Sequence, residues 1–428
     1  MKILKIKEKL ERKQIKKKII RKEFQNKSRK QECKLTIIGI TGSRGKSTTA
    51  LMIHNYLKYI GYKSTLYSSV MVDSPASYLK KNEAYGADYL VLEVNESTLE
   101  KGFLKDVPFD VRVLTNLNSK HNLEQYTEEE YVELKKSFFR NIDDECKCVF
   151  GFQDYSKELL EELLQLNNYP KYICSSNYIA TLKGVNKEQI TCLLTGLDSE
   201  ISGMKLQFKL NDEVFNLNTN LMMSYNALNV LTAITTLEAL SVFNNTKFEE
   251  ALNNLVIPGR AEVFKEKGKI IIVDAHLPAM LECLKTLKEQ GKVNKIKIVI
   301  GSMGHGYKHW EERFKTEEFA SQRKEVRKYA MNLLKGVADY VYLTESDSGK
   351  ENPLEICKEL ESYLDVKTPS TIIVDREEAI KQAIYDSKEG DVVFISGRGN
   401  RRVLCNSENT MKLLKDSDVV KQALEQLK

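Results

Sequence analysis

Three glycines, Gly39, Gly42 and Gly45, stand at three-residue intervals immediately before Lys46, Ser47 and Thr48, in the run GITGSRGKST. Glycine leaves successive backbone N–H groups free to close around phosphate oxygens. An ammonium group at Lys46 reaches the terminal phosphates, and a hydroxyl at Ser47 or Thr48 is a hard oxygen suited to Mg²⁺. Gly42, Ser43, Arg44 and Gly45 form the candidate cradle. The spacing is one residue longer than the strict G-x-x-x-x-G-K pattern, because Ile40 stands where that pattern puts its first glycine. These residues point to binding of a nucleoside triphosphate rather than to an empty glycine turn.

Phosphate binding alone does not fix a reaction, since switches, kinases and ligases share it. Glu93 ends the apolar run ADYLVLEV one residue early, and His121 follows VLTNLNSK. At neighbouring strand ends a carboxylate and an imidazole suit Mg²⁺ or a second divalent ion. Two other readings stand beside this one: ordinary surface side chains after strands, or a glutamate base for an attacking water in motion-coupled ATP hydrolysis.

The elements that must position these groups are legible in the apolar patterning. LTIIGI (35–40) reads as a strand, followed by the glycine loop and an apolar-periodic helix from Leu51 to Ile60. Further strands are expected at Leu66–Val72, Tyr89–Val94, Val111–Thr115 and 145–150, and helices at 127–141 and 225–239. Alternating segments between 171 and 218, such as YIATLKG, ITCLLTG and MKLQFKLNDEVFNL, predict a small antiparallel edge or lobe. VIPGRAEVF (256–264) is the expected junction. Beyond it, strands at 269–273, 296–300, 339–344, 370–374 and 391–395 alternate with helices at 279–290, 321–336, 352–364 and 376–387. The expected fold is α/β: a phosphate-loop domain with a mostly parallel sheet, then a second doubly wound, Rossmann-like domain. The expected divisions are a basic helical leader (1–34), a central ATP-binding domain (35–257) and a C-terminal domain (258–428).

The net charge of +6 over 428 residues is uneven, because residues 1–34 hold fifteen Lys or Arg against four Asp or Glu and the remainder is acidic. The basicity belongs to the leader, so no nucleic-acid partner is expected of the body. The leader suits either a helix packed on the first domain or contact with an anionic polymer or a membrane-associated protein. No run approaches the ~20 apolar residues of a membrane span, and no signal-peptide pattern is present. A cytoplasmic location is expected, with peripheral membrane contact only through the leader. The eight cysteines lack the paired spacing of a zinc site and read as reduced packing residues. His305, Lys308, His309 and Trp310 cluster after VIGSMG. They read as a nucleotide or acceptor contact or as a surface loop, rather than as a metal site.

The ordered set GITGSRGKSTT, LVLEVNESTL, LTNLNSKHNLEQYTEEEYVELKKSFF, YNALNVLTAI, PGR, VDAHLPAML, VIGSMGHGYKHWEER, YLTESDSGKENP, DREEAI and GDVVFISGRGN resembles the Mur ligase family from about residue 35 to 405. The tripeptide synthetases of that family are the nearest likeness. The resemblance implies ATP and Mg²⁺ as cofactors and an ADP-forming reaction: a carboxylate is activated as an acyl phosphate and attacked by an amino acid's amine. It makes Lys46 the phosphate-loop lysine, Ser47 or Thr48 the magnesium-side hydroxyl, and Glu93 with His121 the metal-associated pair. Lys135 resembles the lysine that family members carry as a carbamate near a second metal, with Lys136 as the competing register. Asn226 and Asn229 match the paired asparagines beside the nucleotide, and Arg260 the junction arginine that reaches the phosphates. Asp274 and His276 resemble the Asp-x-Ala-His nucleotide segment, one residue shorter here. A hinge near Pro258–Gly259 is implied.

Several blocks depart from the family pattern. The phosphate loop arrives within 46 residues, leaving no room for the N-terminal domain that holds UDP in murein ligases. The organisation is therefore similar to the ligase subunit of poly-γ-glutamate synthesis or the ligase half of cyanophycin synthetase. Lys120-His121 replaces the usual Asp-His, and Ser346-Asp347-Ser348-Gly349 replaces the acceptor-binding Asp-Asn-Pro-Arg. Gly397-Arg398-Gly399-Asn400 stands where the family has Gly-Lys-Gly-His, so Ser346, Asp347 and Arg398 are candidate acceptor contacts. For Arg398 a plain turn or surface arginine is the equal alternative. The expected donor is a peptide, an amino-acid polymer or a small carboxylate. The alternatives are a murein-type tripeptide ligase with a partner supplying UDP recognition, and a noncatalytic ATP-dependent switch.

Overall fold

The computed structural model describes residues 35–68, 87–102, 104, 107–118, 126–140, 146–153, 155–176, 190–200, 203–253, 255–306, 316–405 and 411–427. The basic leader, YIATLKG, His121, Lys308, His309 and Trp310 lie outside the described residues. The chain divides into two compact units, one ending at Leu255 and the other running from Val256 to Lys428.

In the first unit, β-branched and aromatic runs become β1 (Thr36–Thr41), β2 (Ser64–Tyr67), β3 (Tyr89–Glu93), β4 (Val111–Leu114), β5 (Lys147–Phe152) and β6 (Lys171–Ser175). They continue as β7 (Ile190–Glu200), β8 (Gly203–Leu210) and β9 (Glu213–Thr219). All nine lie in one sheet, ordered β2-β3-β1-β4-β5-β6-β7-β8-β9. The strands pair in parallel as far as β7, and the β7–β8 and β8–β9 pairs are antiparallel. The alternating segments thus form an antiparallel edge of the main sheet, one of the two forms expected of them. Along β8 buried and exposed side chains alternate, as a strand with one covered face requires.

Helices α1 (Lys46–Tyr59), α2 (Glu96–Glu100), α3 (Glu128–Ser137), α4 (Lys157–Gln165), α5 (Asn226–Ala239) and α6 (Asn245–Asn253) surround this sheet. A reciprocal capping box starts α3, with Thr127 accepting from the Glu130 N–H and Glu130 accepting from the Thr127 N–H. Tyr131 and Lys135 stand four residues apart and share one helix face. Tyr131, with Phe138 and Phe139 just past the helix, packs into the core with Phe109, Phe150 and Leu163.

The second unit holds β10 (Glu262–Glu266), β11 (Lys269–Asp274), β12 (Ile296–Ile300), β13 (Tyr340–Leu343), β14 (Ser370–Ile372) and β15 (Val392–Ser396). Their order is β10-β11-β15-β12-β13-β14, parallel except for the edge strand β10. The helices are α7 (Leu277–Glu289), α8 (Glu317–Leu334), α9 (Pro353–Tyr363), α10 (Arg376–Asp386) and α11 (Asp416–Leu427). A small hairpin of β16 (Val403–Cys405) and β17 (Met411–Leu413) precedes α11. Both units are therefore α/β, and each puts its loops at the carboxyl ends of parallel strands, where such sheets form their crevices. Among the described residues no helix is long and apolar enough to cross a membrane, and the seven described cysteines are all free.

Candidate functional site

The glycine loop leaves β1 between its two neighbours in the sheet, β3 and β4. Glu93, the last residue of β3, pairs in register with Ile40, so its carboxylate stands beside the loop. On the other side, the segment after β4 fixes the loop. The Ser43 N–H donates to the Asn116 carbonyl at 3.1 Å, and the Arg44 N–H to Asn116 Oδ1 at 3.0 Å. The Asn118 N–H donates to Ser43 Oγ at 2.8 Å, and Thr115 Oγ1 donates to the Arg44 carbonyl at 2.5 Å.

Gly45 is the N-cap of α1, in the left-handed region at φ 78°. A Cβ there would meet Asn229 Oδ1 at 1.9 Å, so the loop closes on the head of α5 only because the residue is glycine. Asn229 is itself aimed by its Nδ2, which donates to Asn226 Oδ1 at 2.9 Å, while Asn226 Nδ2 donates to the Met222 carbonyl at 2.6 Å. The paired asparagines thus bear on the loop itself. Gly45→Ala is expected to lower stability by about 1–3 kcal/mol through strain and displacement of Asn229, and to weaken ADP binding at least ~10-fold (about 1.4 kcal/mol). Thermal unfolding and ADP titration of the variant check both effects.

Lys46 Nζ donates to the Gly42 carbonyl at 2.7 Å and lies at the centre of the loop. Ser47 Oγ donates to Glu93 Oε2 at 2.9 Å, and Ser68 Oγ donates to the same oxygen at 2.6 Å. Thr48 is buried next along the helix. The hydroxyl of the loop and the carboxylate at the strand end therefore already face one another. Among the described residues no group of three or more His, Cys, Asp or Glu side chains could hold a metal. Oxygen from one hydroxyl and one carboxylate nonetheless fits Mg²⁺, which keeps several waters and takes its remaining ligands from phosphates.

Glu96 is a site residue that the sequence reading did not single out, although it lies inside the block LVLEVNESTL. Its Oε1 accepts from Lys135 Nζ at 2.6 Å and from the Tyr131 hydroxyl at 3.3 Å, and lies 3.8 Å from Lys46 Nζ. Lys135 is fully buried and also donates to Thr41 Oγ1 at 3.1 Å. Lys136 points elsewhere, to Glu133 and Glu162. Burial, followed by the neighbouring Lys46 ammonium, pulls the Lys135 amine down to about 7 in spite of Glu96. Burial also pushes the Glu96 carboxyl up, but Lys46 and Lys135 more than reverse this and hold it at about 2.

The sign of the resulting pH dependence follows from linkage. Between 4.5 and about 2 the unfolded chain protonates Glu96 while the folded chain does not. Stability from Glu96 is thus present above pH 4.5 and lost as pH falls toward 2. Thermal midpoints measured down this range should fall less steeply for Glu96→Gln than for the parent chain.

In the second unit the candidate residues gather at strand ends. The Asp274 carboxylate accepts from the Ala261 N–H at 2.9 Å and from the His276 N–H at 2.6 Å. It therefore ties the Arg260 turn to the start of α7. Gly259, at φ 66°, lets that turn approach Gly399 and Asn400, where a Cβ would meet the Asn400 nitrogen at 2.1 Å. His305 is engaged with Glu351 at 2.8 Å, and Glu351 also pairs with the buried Arg327.

Arg398 is buried, so it is not the surface arginine that stood as one alternative. Its buried guanidinium is bonded to Asp347 Oδ1 at 2.9 Å and to the Val403 carbonyl at 2.9 Å. A desolvated cation must be met by internal oxygens, and these contacts engage Arg398 within the fold. Asp347 likewise serves as a staple, accepting also from Arg401 at 2.8 Å and from the Cys405 N–H at 3.0 Å. Arg401, with its side chain 53% exposed, is the guanidinium of this cluster that reaches solvent. Ser346 is buried in the same loop.

Residues 40–237 match the Mur ligase middle domain, and residues 259–399 match the Mur ligase glutamate ligase domain. The chain is 28% identical over 391 residues to the UDP-N-acetylmuramoyl-L-alanyl-D-glutamate–2,6-diaminopimelate ligase of Geobacillus thermodenitrificans, covering 86% of this chain and 74% of that protein. It is 27% identical to UDP-N-acetylmuramyl-tripeptide synthetase 2 of Oceanobacillus iheyensis, covering 85% and 73%. Among solved structures, MurF ligase from Thermotoga maritima in complex with ADP has a TM-score of 0.66 at 20% identity, over 97% of this chain and 84% of that one. Folylpolyglutamate synthase from the same organism has a TM-score of 0.62 at 16% identity, over 89% of both chains.

Proposed function

Because this chain belongs to the Mur ligase family and is an ATP-dependent, ADP-forming amide-bond ligase, we propose that it activates a carboxylate as an acyl phosphate and transfers the acyl group to the amine of an amino acid. The observation that carries this reading is the Ser47–Glu93 contact, which sets a hydroxyl and a carboxylate together at the phosphate loop. A triphosphate and a carboxylate repel each other. The protein must therefore bring positive charge to their meeting point before chemistry can begin.

In the proposed assignment Gly42, Ser43, Arg44 and Gly45 wrap the phosphates with backbone N–H groups. Lys46 exchanges its loop carbonyls for phosphate oxygens. Ser47, Thr48, Glu93 and His121 hold Mg²⁺, with Lys135 beside them, and the ion supplies charge neutralisation on the phosphate oxygens. Asn226 and Asn229 order the loop against α5. Arg260 contributes a further cation to the phosphates, and Asp274 and His276 fix its turn.

The donor's carboxylate oxygen bonds to the γ-phosphorus and ADP leaves with the electrons of the broken P–O bond. The amine nitrogen then bonds to the acyl carbon, inorganic phosphate leaves, and the amine's proton passes to solvent or to the departing phosphate. Ser346 and Asp347 shape the acceptor loop, with Arg401 offering the exposed guanidinium for an acceptor carboxylate.

The donor is read as a peptide, an amino-acid polymer or a small carboxylate. The names of the relatives favour one second reading, a donor of the UDP-N-acetylmuramoyl-L-alanyl-D-glutamate type. Donor-dependent nucleotide release separates the two. ATP and Mg²⁺ are supplied with either UDP-N-acetylmuramoyl-L-alanyl-D-glutamate or glutamate oligopeptides, together with mixed amino acids, and ADP and AMP are quantified. ADP release that requires one donor class identifies it, whereas AMP release contradicts the acyl-phosphate route.

A further inference from the structure

The turn that carries Arg260 is left-handed on both sides of it, with Gly259 at φ 66° and Ala261 at φ 46°. That region suits glycine but is costly for alanine, whose Cβ crowds the carbonyl oxygen there. The surrounding fold must therefore hold Ala261 in place. Two carboxylates do so. Asp274 Oδ2 accepts from the Ala261 N–H at 2.9 Å, and Glu262 Oε2 accepts from the Gly259 N–H at 3.0 Å. Both carboxylates are buried, Asp274 at the end of β11 and Glu262 at the start of β10. The same Glu262 oxygen accepts from Ser417 Oγ at 2.6 Å, and Ser417 is fully buried in the first turn of α11. Among the described residues the Arg260 guanidinium itself has no hydrogen-bond or ion-pair partner.

We propose that Glu262 is a positioning residue for Arg260: its carboxylate clamps the turn between Gly259 and α11, so that the guanidinium is presented to the triphosphate in one orientation. This rests on the reading above that Arg260 meets phosphate oxygens. Glu262 touches no phosphate in this role, because its bonding oxygen is engaged by two protein donors. Hydrogen bonds to a carboxylate are stronger than those between neutral groups, which suits it to hold a strained turn. A cation already fixed in place loses little freedom when phosphates arrive, whereas an arginine on a loose turn must be ordered at that moment. The two clamps differ in reach. Asp274 also accepts from the His276 N–H, two residues on, whereas Glu262 reaches Ser417, 155 residues away in sequence. Glu262 therefore ties the orientation of Arg260 to the packing of α11.

Isothermal titration of the full chain with β,γ-imido-ATP and Mg²⁺ tests this without turnover. Arg260→Ala should weaken binding ~10-fold, equivalent to about 1.4 kcal/mol, and Glu262→Ala at least ~5-fold. Added to Arg260→Ala, the Glu262→Ala change should weaken binding by less than about twofold more, because its influence passes through the guanidinium. Glu262→Gln keeps an oxygen that accepts from both donors and should recover most of the lost affinity. Glu262→Asp draws the carboxylate back by roughly one C–C bond of about 1.5 Å. It keeps the charge and gives the same cycle should Glu262→Ala not fold: weaker binding with Arg260 present, no further change without it. Parent-like affinity in the Glu262 variants overturns the proposal. An equal loss with and without Arg260 also overturns it, since Glu262 would then serve stability alone. Unchanged affinity in Arg260→Ala removes the phosphate role of Arg260, and this inference with it, but leaves the ligase reading, which fails only if no amide product forms.

Discussion

Lys46→Ala is expected to lower ADP formation by at least ~10³-fold, equivalent to about 4 kcal/mol of lost transition-state stabilisation. Its ammonium is the cation at the centre of the glycine loop, 2.7 Å from the Gly42 carbonyl. In phosphoryl transfer nearly all of the catalysis is positioning and neutralisation of charge on phosphate oxygens. Lys135 does not replace it, because it is fully buried and turned to Glu96 and Thr41. The fold should survive, since Lys135 continues to neutralise Glu96 once Lys46 is gone. A circular dichroism spectrum like the parent's together with collapsed ADP release is the expected result. Turnover within tenfold of the parent would mean that Lys46 does not serve the transferred phosphate.

Glu93→Ala should lower turnover by roughly 10²–10³-fold and raise the Mg²⁺ concentration needed for half-maximal activity at least ~10-fold, in line with loss of one charged oxygen ligand. A second cost is structural. Ser47 and Ser68 both donate to Glu93 Oε2, and removing a shared acceptor from partly buried hydroxyls costs about 1–3 kcal/mol. Glu93→Gln separates the two effects, because it keeps an accepting oxygen and loses the charge. If Gln restores stability without restoring the Mg²⁺ requirement, the carboxylate acts on the ion; equal recovery of both would make Glu93 a scaffold residue.

The phosphate loop was legible because its glycine spacing, its Lys-Ser-Thr end and the apolar runs on either side are all local in sequence. The burial of Lys135 was legible in principle, since it follows Tyr131 at helical spacing and both side chains are fully buried. Glu96 was hidden because NESTLE reads as a short polar turn. Its role arises from Lys135, 39 residues away, and Lys46, 50 residues away. The burial of Arg398 was hidden for a similar reason. A glycine-flanked arginine reads as a surface turn, but its guanidinium is drawn inward by Asp347, 51 residues earlier. The alternating strands after residue 190 were recognisable by their period. Of the two expected forms, edge or lobe, the sheet takes the edge, through the parallel pairing of β7 with β6, a tertiary contact that alternation alone does not encode.

The most direct test of the central claim is high-resolution mass spectrometry of reactions holding purified protein, ATP, Mg²⁺, pooled carboxylate donors and amino acids, with ADP followed in parallel. The account predicts a new mass equal to donor plus amino acid minus water, formed in equal amount with ADP and absent from Lys46→Ala. ATP turnover that yields no such condensation product from a metabolite extract that includes both donor classes would contradict it.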